Sequence, residues 1–223
     1  MGKILMLVTS HAALGDTGKA TGVYLPELAD AHQIFEQAGH QVEVASPQGG
    51  QAPVDPGGLT ENLLPTLRLL EHTLPFHQIR AGEYNAYMLV GGHGVMWDFP
   101  TDHTLATLLE EVWNNGGILA AVCHGSAGLL SLTTADGYPL VEGKQVTGFS
   151  NVEEEALGLS QVVPFLLEDA LKRRGAHYSS APTWQAHLEM DGNLITGQNP
   201  ASARKVAEAV CVRLRFLPLQ TGA

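Results

Sequence analysis

Three nearly unbroken apolar runs set the terms for this chain: Lys3–Thr9 (KILMLVT), Tyr84–Val90 (YNAYMLV) and Gly117–Val122 (GILAAV). A strand that is apolar at both odd and even positions must be covered on both faces, as in a parallel sheet lying under helices. Segments of helical period stand between the runs. Leu25, Leu28, Ala29, His32, Phe35 and Ala38 form one, with Pro26 in its first turn and Gly39 as a stop. Thr101–Asn114 (TDHTLATLLEEVWN) forms another through Leu105, Leu108, Leu109 and Val112, with Thr101 or Asp102 as its cap. Gln41–Ala45 (QVEVA) and Gln145–Thr147 read as strands, and Val152–Leu157, Val162–Arg173 and Ala201–Leu214 as helices. Asp191-Gly192 predicts a hairpin joining Thr183–Met190 to Asn193–Thr196. Gln51–Gln78 is Pro-rich and irregular, with a short helix over Leu59–Glu71. There is no repeat and no linker. The expectation is an α/β fold over residues 1–223 as one domain, its sheet mostly parallel with helices on both faces.

Composition narrows the function classes. With 223 residues, of which 44% are hydrophobic, the chain can bury a full core without disulfides or metals. Twelve Lys+Arg against 23 Asp+Glu leave a net charge of −11, which argues against nucleic acid or an anionic membrane as partner. Two cysteines, Cys123 and Cys211, are too few for a disulfide framework and suit a reducing compartment. The N-terminal apolar run Ile4–Val8 is too short for a signal h-region, and no stretch of about 18 apolar residues occurs. These features predict a soluble, cytoplasmic protein. No dinucleotide fingerprint or P-loop is present in the sequence.

The feature that points to chemistry is Leu119-Ala120-Ala121-Val122-Cys123-His124-Gly125-Ser126-Ala127. An apolar strand stops at Cys123 and a helix begins at once, with small Ala121 and Gly125 two residues to either side. This is the layout of a nucleophile elbow, a turn too tight for bulky flanks. Helix N–H groups at such a turn are expected to lower the thiol pKa toward the roughly 3.5–7.5 of activated cysteines, and to hold an oxyanion. A buried structural cysteine is the plainer reading of the same residue. A second glycine-rich strand end, Gly91-Gly92-His93-Gly94, is placed to face the same point. Cys211 lies in an apolar helix and reads as a core thiol.

Taken together, Val122-Cys123-His124-Gly125, the Gly91–Gly94 loop with Asp98 and Pro100, Ser46-Pro47 with Gly49-Gly50, and Thr196–Ser202 (TGQNPAS) resemble the ThiJ/PfpI (DJ-1) superfamily. Tyr24–Glu27 and Thr147–Glu154 resemble its single-domain chaperone and glyoxalase III-like branch. The resemblance covers nearly the whole chain. It implies a flavodoxin-like three-layer sandwich of the class I glutamine amidotransferase type, a homodimer, no cofactor, and a Cys-His-acid triad with a further glutamate near the thiol.

By that pattern Cys123 is the nucleophile and His124 the triad histidine. The acid falls on Glu154, with Glu153 left open because Asn151 and Glu154 also read as a capping box. Glu27 is the glutamate near the thiol, although an acid in a first helical turn also suits the helix dipole. Gly92 and His124 supply oxyanion N–H groups, and His93 either lines the pocket or braces its loop. Ser126 departs from the proline of many relatives. His11, His32, His72, His77, His93 and His103 show no metal-ligand spacing, so no metal is expected. His187-Leu188-Glu189 reads as exposed strand residues. The implied activity is cysteine-dependent conversion of small reactive carbonyls, 2-oxoaldehydes to 2-hydroxy acids. Amide or ester hydrolysis by the same triad, or a holding chaperone or redox sensor, are the alternatives. Gln51–Gln78 and Thr133–Tyr138 are the expected substrate walls.

Overall fold

The computed structural model describes residues 2–216. The first two apolar runs become β1 (Lys3–Leu7) and β4 (Ala86–Leu89), and the third becomes β5 (Ile118–Val122), all almost wholly buried. Together with β2 (Gln41–Ser46), β3 (Leu74–Pro75), β8 (Leu188–Asp191) and β9 (Leu194–Gly197) they make a seven-stranded sheet of order β3-β2-β1-β4-β5-β9-β8. Every neighbouring pair is parallel except β8 with β9. A separate pair, β6 (Gln145–Val146) and β7 (His177–Tyr178), stands outside this sheet.

The helices are α1 (Leu25–Gln37), α2 (Val95–Asp98), α3 (His103–Asn114), α4 (Asn151–Ala156), α5 (Leu167–Arg173) and α6 (Ala203–Leu214). From β1 the chain crosses through α1 to β2 in one direction along the sheet, and from β4 through α3 to β5 in the other. Right-handed crossovers therefore put α1 and α3 on opposite faces. Helix α6 packs on α1, β5 and β9, completing the α1 layer. The chain reverses direction between the adjacent strands β1 and β4. Open α/β sheets bind their ligands beside such a point, at the carboxyl ends of the strands.

The local rules account for most boundaries. Pro26 sits in the first turn of α1, and Gly39 follows its end at φ +79°. Asp102, not Thr101, caps α3 by accepting the Leu105 N–H at 2.9 Å. Among the spans that come out shorter than their patterns are these three. Leu59–Glu71 forms a 3-10 run over Glu61–Leu70 with Pro65 inside it, since proline has no N–H for a regular ladder. Helix α5 begins at Leu167 rather than Val162, beyond Pro164. Strand β8 begins at Leu188 rather than Thr183. No helix among the described residues is long and apolar enough to cross a membrane.

Candidate active site

Where β5 ends, Cys123 turns at φ +58° into a 3-10 segment, Cys123–Leu129, instead of an α-helix. Cys123 and Trp184 are the non-glycine residues with positive φ among those described. Such a conformation costs on the order of 1–3 kcal/mol and persists only where its surroundings enforce it. At Gly125 a Cβ would lie 2.4 Å from the Leu89 carbonyl oxygen, so the turn can press against β4 only without a side chain there. Ser126 is buried, and its Oγ donates to the Thr147 carbonyl at 3.2 Å.

The sharp turn brings two successive side chains together. His124 Nδ1 lies 3.3 Å from Cys123 Sγ, and its Nε2 lies 2.7 Å from Glu154 Oε2. The other oxygen of Glu154 receives His93 Nε2 at 2.8 Å, so one carboxylate holds two imidazoles. Burial pushes the Glu154 carboxyl up, but the hydrogen bonds and charges of His124 and His93 outweigh it and bring the pKa down to about 2. For His124, burial and the neighbouring His93 charge prevail over Glu154 and lower it to about 4. The imidazole is therefore neutral at neutral pH. An ionised Glu154 only accepts, so the His124 proton sits on Nε2 and the Nδ1 lone pair faces sulfur.

Glu153 points elsewhere. It closes a capping box with Ser150, whose N–H it accepts at 3.1 Å, and it accepts from Gln198 and Asn199 side chains and from the Trp184 N–H. The capping box is thus Ser150 with Glu153, one residue ahead of the predicted Asn151 with Glu154. That shift leaves Glu154 free to turn toward His124.

Glu27, in the first turn of α1, is fully buried beside the thiol. Its Oε2 accepts the Gly91 N–H at 2.8 Å, while Oε1 has no well-formed partner. A Cβ on Gly91 would lie 2.6 Å from Glu27 Oε2 and 2.8 Å from Cys123 Cβ, so this close approach requires glycine. Burial raises the Glu27 pKa to about 8, against the opposing hydrogen bonds to Cys123 and Gly91. Burial, then the charge and hydrogen bond of Glu27, push the Cys123 thiol well above its ordinary value. This reverses the expected lowering. The desolvation of a buried sulfur and the carboxyl beside it outweigh the N–H groups of a short 3-10 turn.

Cys123 is 3% exposed, yet it lines a cavity of about 620 Å³ together with Gly92, His93 and His124. Tyr24, Phe149, Leu157, Leu159 and Trp184 supply apolar wall, and Lys19 and Asp55 supply charge. Of the expected walls, the Gln51–Gln78 segment contributes Asp55, Pro56 and Gly57, whereas none of Thr133–Tyr138 lines the cavity. Tyr24 and Phe149 lie in segments that carry the family resemblance, but nothing in the sequence marked them, or Trp184, as cavity wall. Ligand atoms of His93, His124 and Glu154 do converge to within 4.8 Å, a gathering that sequence spacing did not reveal. Hydrogen bonds to Glu154 account for it. His187 and Glu189 are half-buried rather than exposed, and both meet Ser179 Oγ. Cys211 is a buried residue of α6, apart from the cavity.

A sheet of this order, carrying a cysteine on a strained elbow at its carboxyl edge, defines a flavodoxin-like α/β protein of the nucleophile-elbow kind. The chain belongs to the DJ-1/PfpI family, which it matches over residues 20–212. It is 31% identical to the glutathione-independent glyoxalase HSP31 of Saccharomyces cerevisiae, covering 92% of this chain and 94% of that protein. Candida albicans glyoxalase III, in its crystal structure, shares 27% identity at a TM-score of 0.86, over 95% of this chain and 96% of that one. The Rapid Encystment Protein 24 kDa of Francisella tularensis is similar at 34% identity and a TM-score of 0.89, over 96% and 99% of the two chains.

Proposed function

We propose that this protein is a glutathione-independent, cofactor-independent glyoxalase that converts 2-oxoaldehydes to 2-hydroxy acids. Relatives that carry the glyoxalase name align over nearly their full length. The observation that carries the reading for this chain is the line from Cys123 Sγ through His124 to an ionised Glu154, with Glu27 on the thiol's other flank.

The thiol holds its proton at rest, so deprotonation accompanies attack. His124 Nδ1 takes the thiol proton as Sγ bonds to the aldehyde carbon, and the carbonyl oxygen gains a proton to give a hemithioacetal. The backbone N–H groups of Gly92 and His124 would hold the oxygen as its charge develops. One of the pair His124 and Glu27 then removes the proton from the former aldehyde carbon and the other protonates the neighbouring carbon, while the hydroxyl proton of the first carbon passes to the neighbour's oxygen. The first carbon loses two electrons and becomes a thioester, while the second gains two and becomes a carbinol. Water finally cleaves the C–S bond, releasing the hydroxy acid and restoring the thiol. A carboxyl with a pKa of about 8 suits this work, because both protonation states are accessible near neutral pH.

Purified protein should form lactate from methylglyoxal without added glutathione, and Cys123→Ala should form none. Lactate production that survives Cys123→Ala overturns the mechanism. A homodimer and a cytoplasmic location complete the proposal, on the family resemblance; sedimentation and fractionation check them.

A further inference from the structure

The volume and walls of the cavity exceed what the smallest 2-oxoaldehyde needs. At about 620 Å³ it falls within the roughly 300–1,000 Å³ of pockets that hold drug-sized ligands. A three-carbon aldehyde bound to Cys123 would leave most of it to water. From the sulfur outward the walls are aromatic in sequence. Phe149 packs 4.2 Å from the His124 ring, and Trp184 lies 5.8 Å from Phe149 at an interplanar angle of 54°. Trp184 is 46% exposed and held at φ +64°, with its N–H bonded to Glu153 at 2.9 Å. That buried carboxylate also anchors Gln198, Asn199 and the start of α4, so the backbone that carries the indole is tied to the frame of the site. A bulky residue fixed at a strained φ, with its ring half in water, offers an aromatic face to the cavity.

We propose that Trp184 and Phe149 select 2-oxoaldehydes bearing an aromatic ring, the dicarbonyl reaching Cys123 while the ring lies along the aromatic wall. This deepens the glyoxalase reading and rests on it. An aryl group would gain offset or edge contacts with the two side chains and cover apolar wall that now faces solvent. The charged side chains of the wall, Lys19 and Asp55, are of opposite sign, so the cavity offers no surplus positive charge for a phosphorylated or carboxylated substrate. The reaction is unchanged in its balance: the aryl 2-oxoaldehyde plus water gives the aryl 2-hydroxy acid.

The test compares phenylglyoxal, giving mandelate, with methylglyoxal, giving lactate. The wild-type protein should show kcat/KM at least about tenfold higher for phenylglyoxal, mostly through KM. Trp184→Ala should reduce that preference by about fivefold or more, again through KM, and Trp184→Phe should restore most of it. Equal or lower kcat/KM for phenylglyoxal in the wild type overturns the proposal, as does a Trp184→Ala variant that slows both substrates alike. Lactate formation without an aryl preference sinks this inference alone. Failure to form either product sinks the glyoxalase reading with it.

Discussion

Glu153 and Glu154 are adjacent, buried and chemically identical, yet they serve different partners. Glu154 faces two imidazoles, whereas Glu153 ties the capping box to the segment after β9 and to Trp184. The difference predicts opposite signatures. Glu154→Gln should lower kcat/KM by roughly 10²–10⁴ with little change in KM, because an amide cannot stabilise the imidazolium formed during attack. Glu153→Gln should cost about 2–3 kcal/mol in urea denaturation, since it weakens charge-assisted bonds in a buried network, and should lower kcat/KM by less than about tenfold. Reversed outcomes would assign the acid to Glu153. Three consecutive glutamates could not be told apart by residue type. Only the rotation of α4, set by its cap, separates them.

That cap shows what element-level reading can and cannot reach. Ser150 and Asn151 are both good caps, and each has a glutamate three residues on, yet the sequence reading takes only Asn151 with Glu154. The structure uses Ser150. Its Oγ both accepts the Glu153 N–H and donates to the Glu153 carboxylate. Ser150→Ala should cost about 1 kcal/mol by urea denaturation, the usual loss of a helix cap. The central strands were legible because burial on both faces makes them unbroken apolar runs, and the long helices because burial of one face stamps a period on them. The elbow was legible because its geometry restricts residue type on both flanks. The cavity wall was not: Trp184 stands in a segment that reads as strand but pairs only from Leu188, and its place depends on a carboxylate 31 positions away. The direction of the thiol shift was also hidden, because desolvation and the approach of Glu27 are properties of the assembled site.

At the scale of the whole molecule, the sheet order puts the ends of β4 and β5 beside each other and beside the start of α1, so Gly91, Cys123 and Glu27 meet from three distant parts of the chain. Folding must therefore bury Cys123 and Glu27 beside His124 and Glu154, and the stability of the fold should carry the signature of the last three. Glu154 moves from 4.5 down to about 2, so the stability it contributes is present above pH 4.5 and is lost as pH falls toward 2. His124 moves from 6.5 down to about 4, so the native state binds fewer protons than the unfolded chain between those values, and its contribution rises with pH. Glu27 moves from 4.5 up to about 8, so the native state binds more protons in that window, and its contribution falls with pH. From pH 4.5 to 6.5 the last two oppose each other and the profile should be nearly flat. Between pH 6.5 and 8 only Glu27 of the three is still titrating, and stability should fall by about 2 kcal/mol, at roughly 1.4 kcal/mol per pH unit. Urea denaturation across this range checks the shape. In Glu27→Gln, which keeps a neutral group of the same size, the alkaline decline should vanish; a decline of equal depth in that variant would mean that another group carries it.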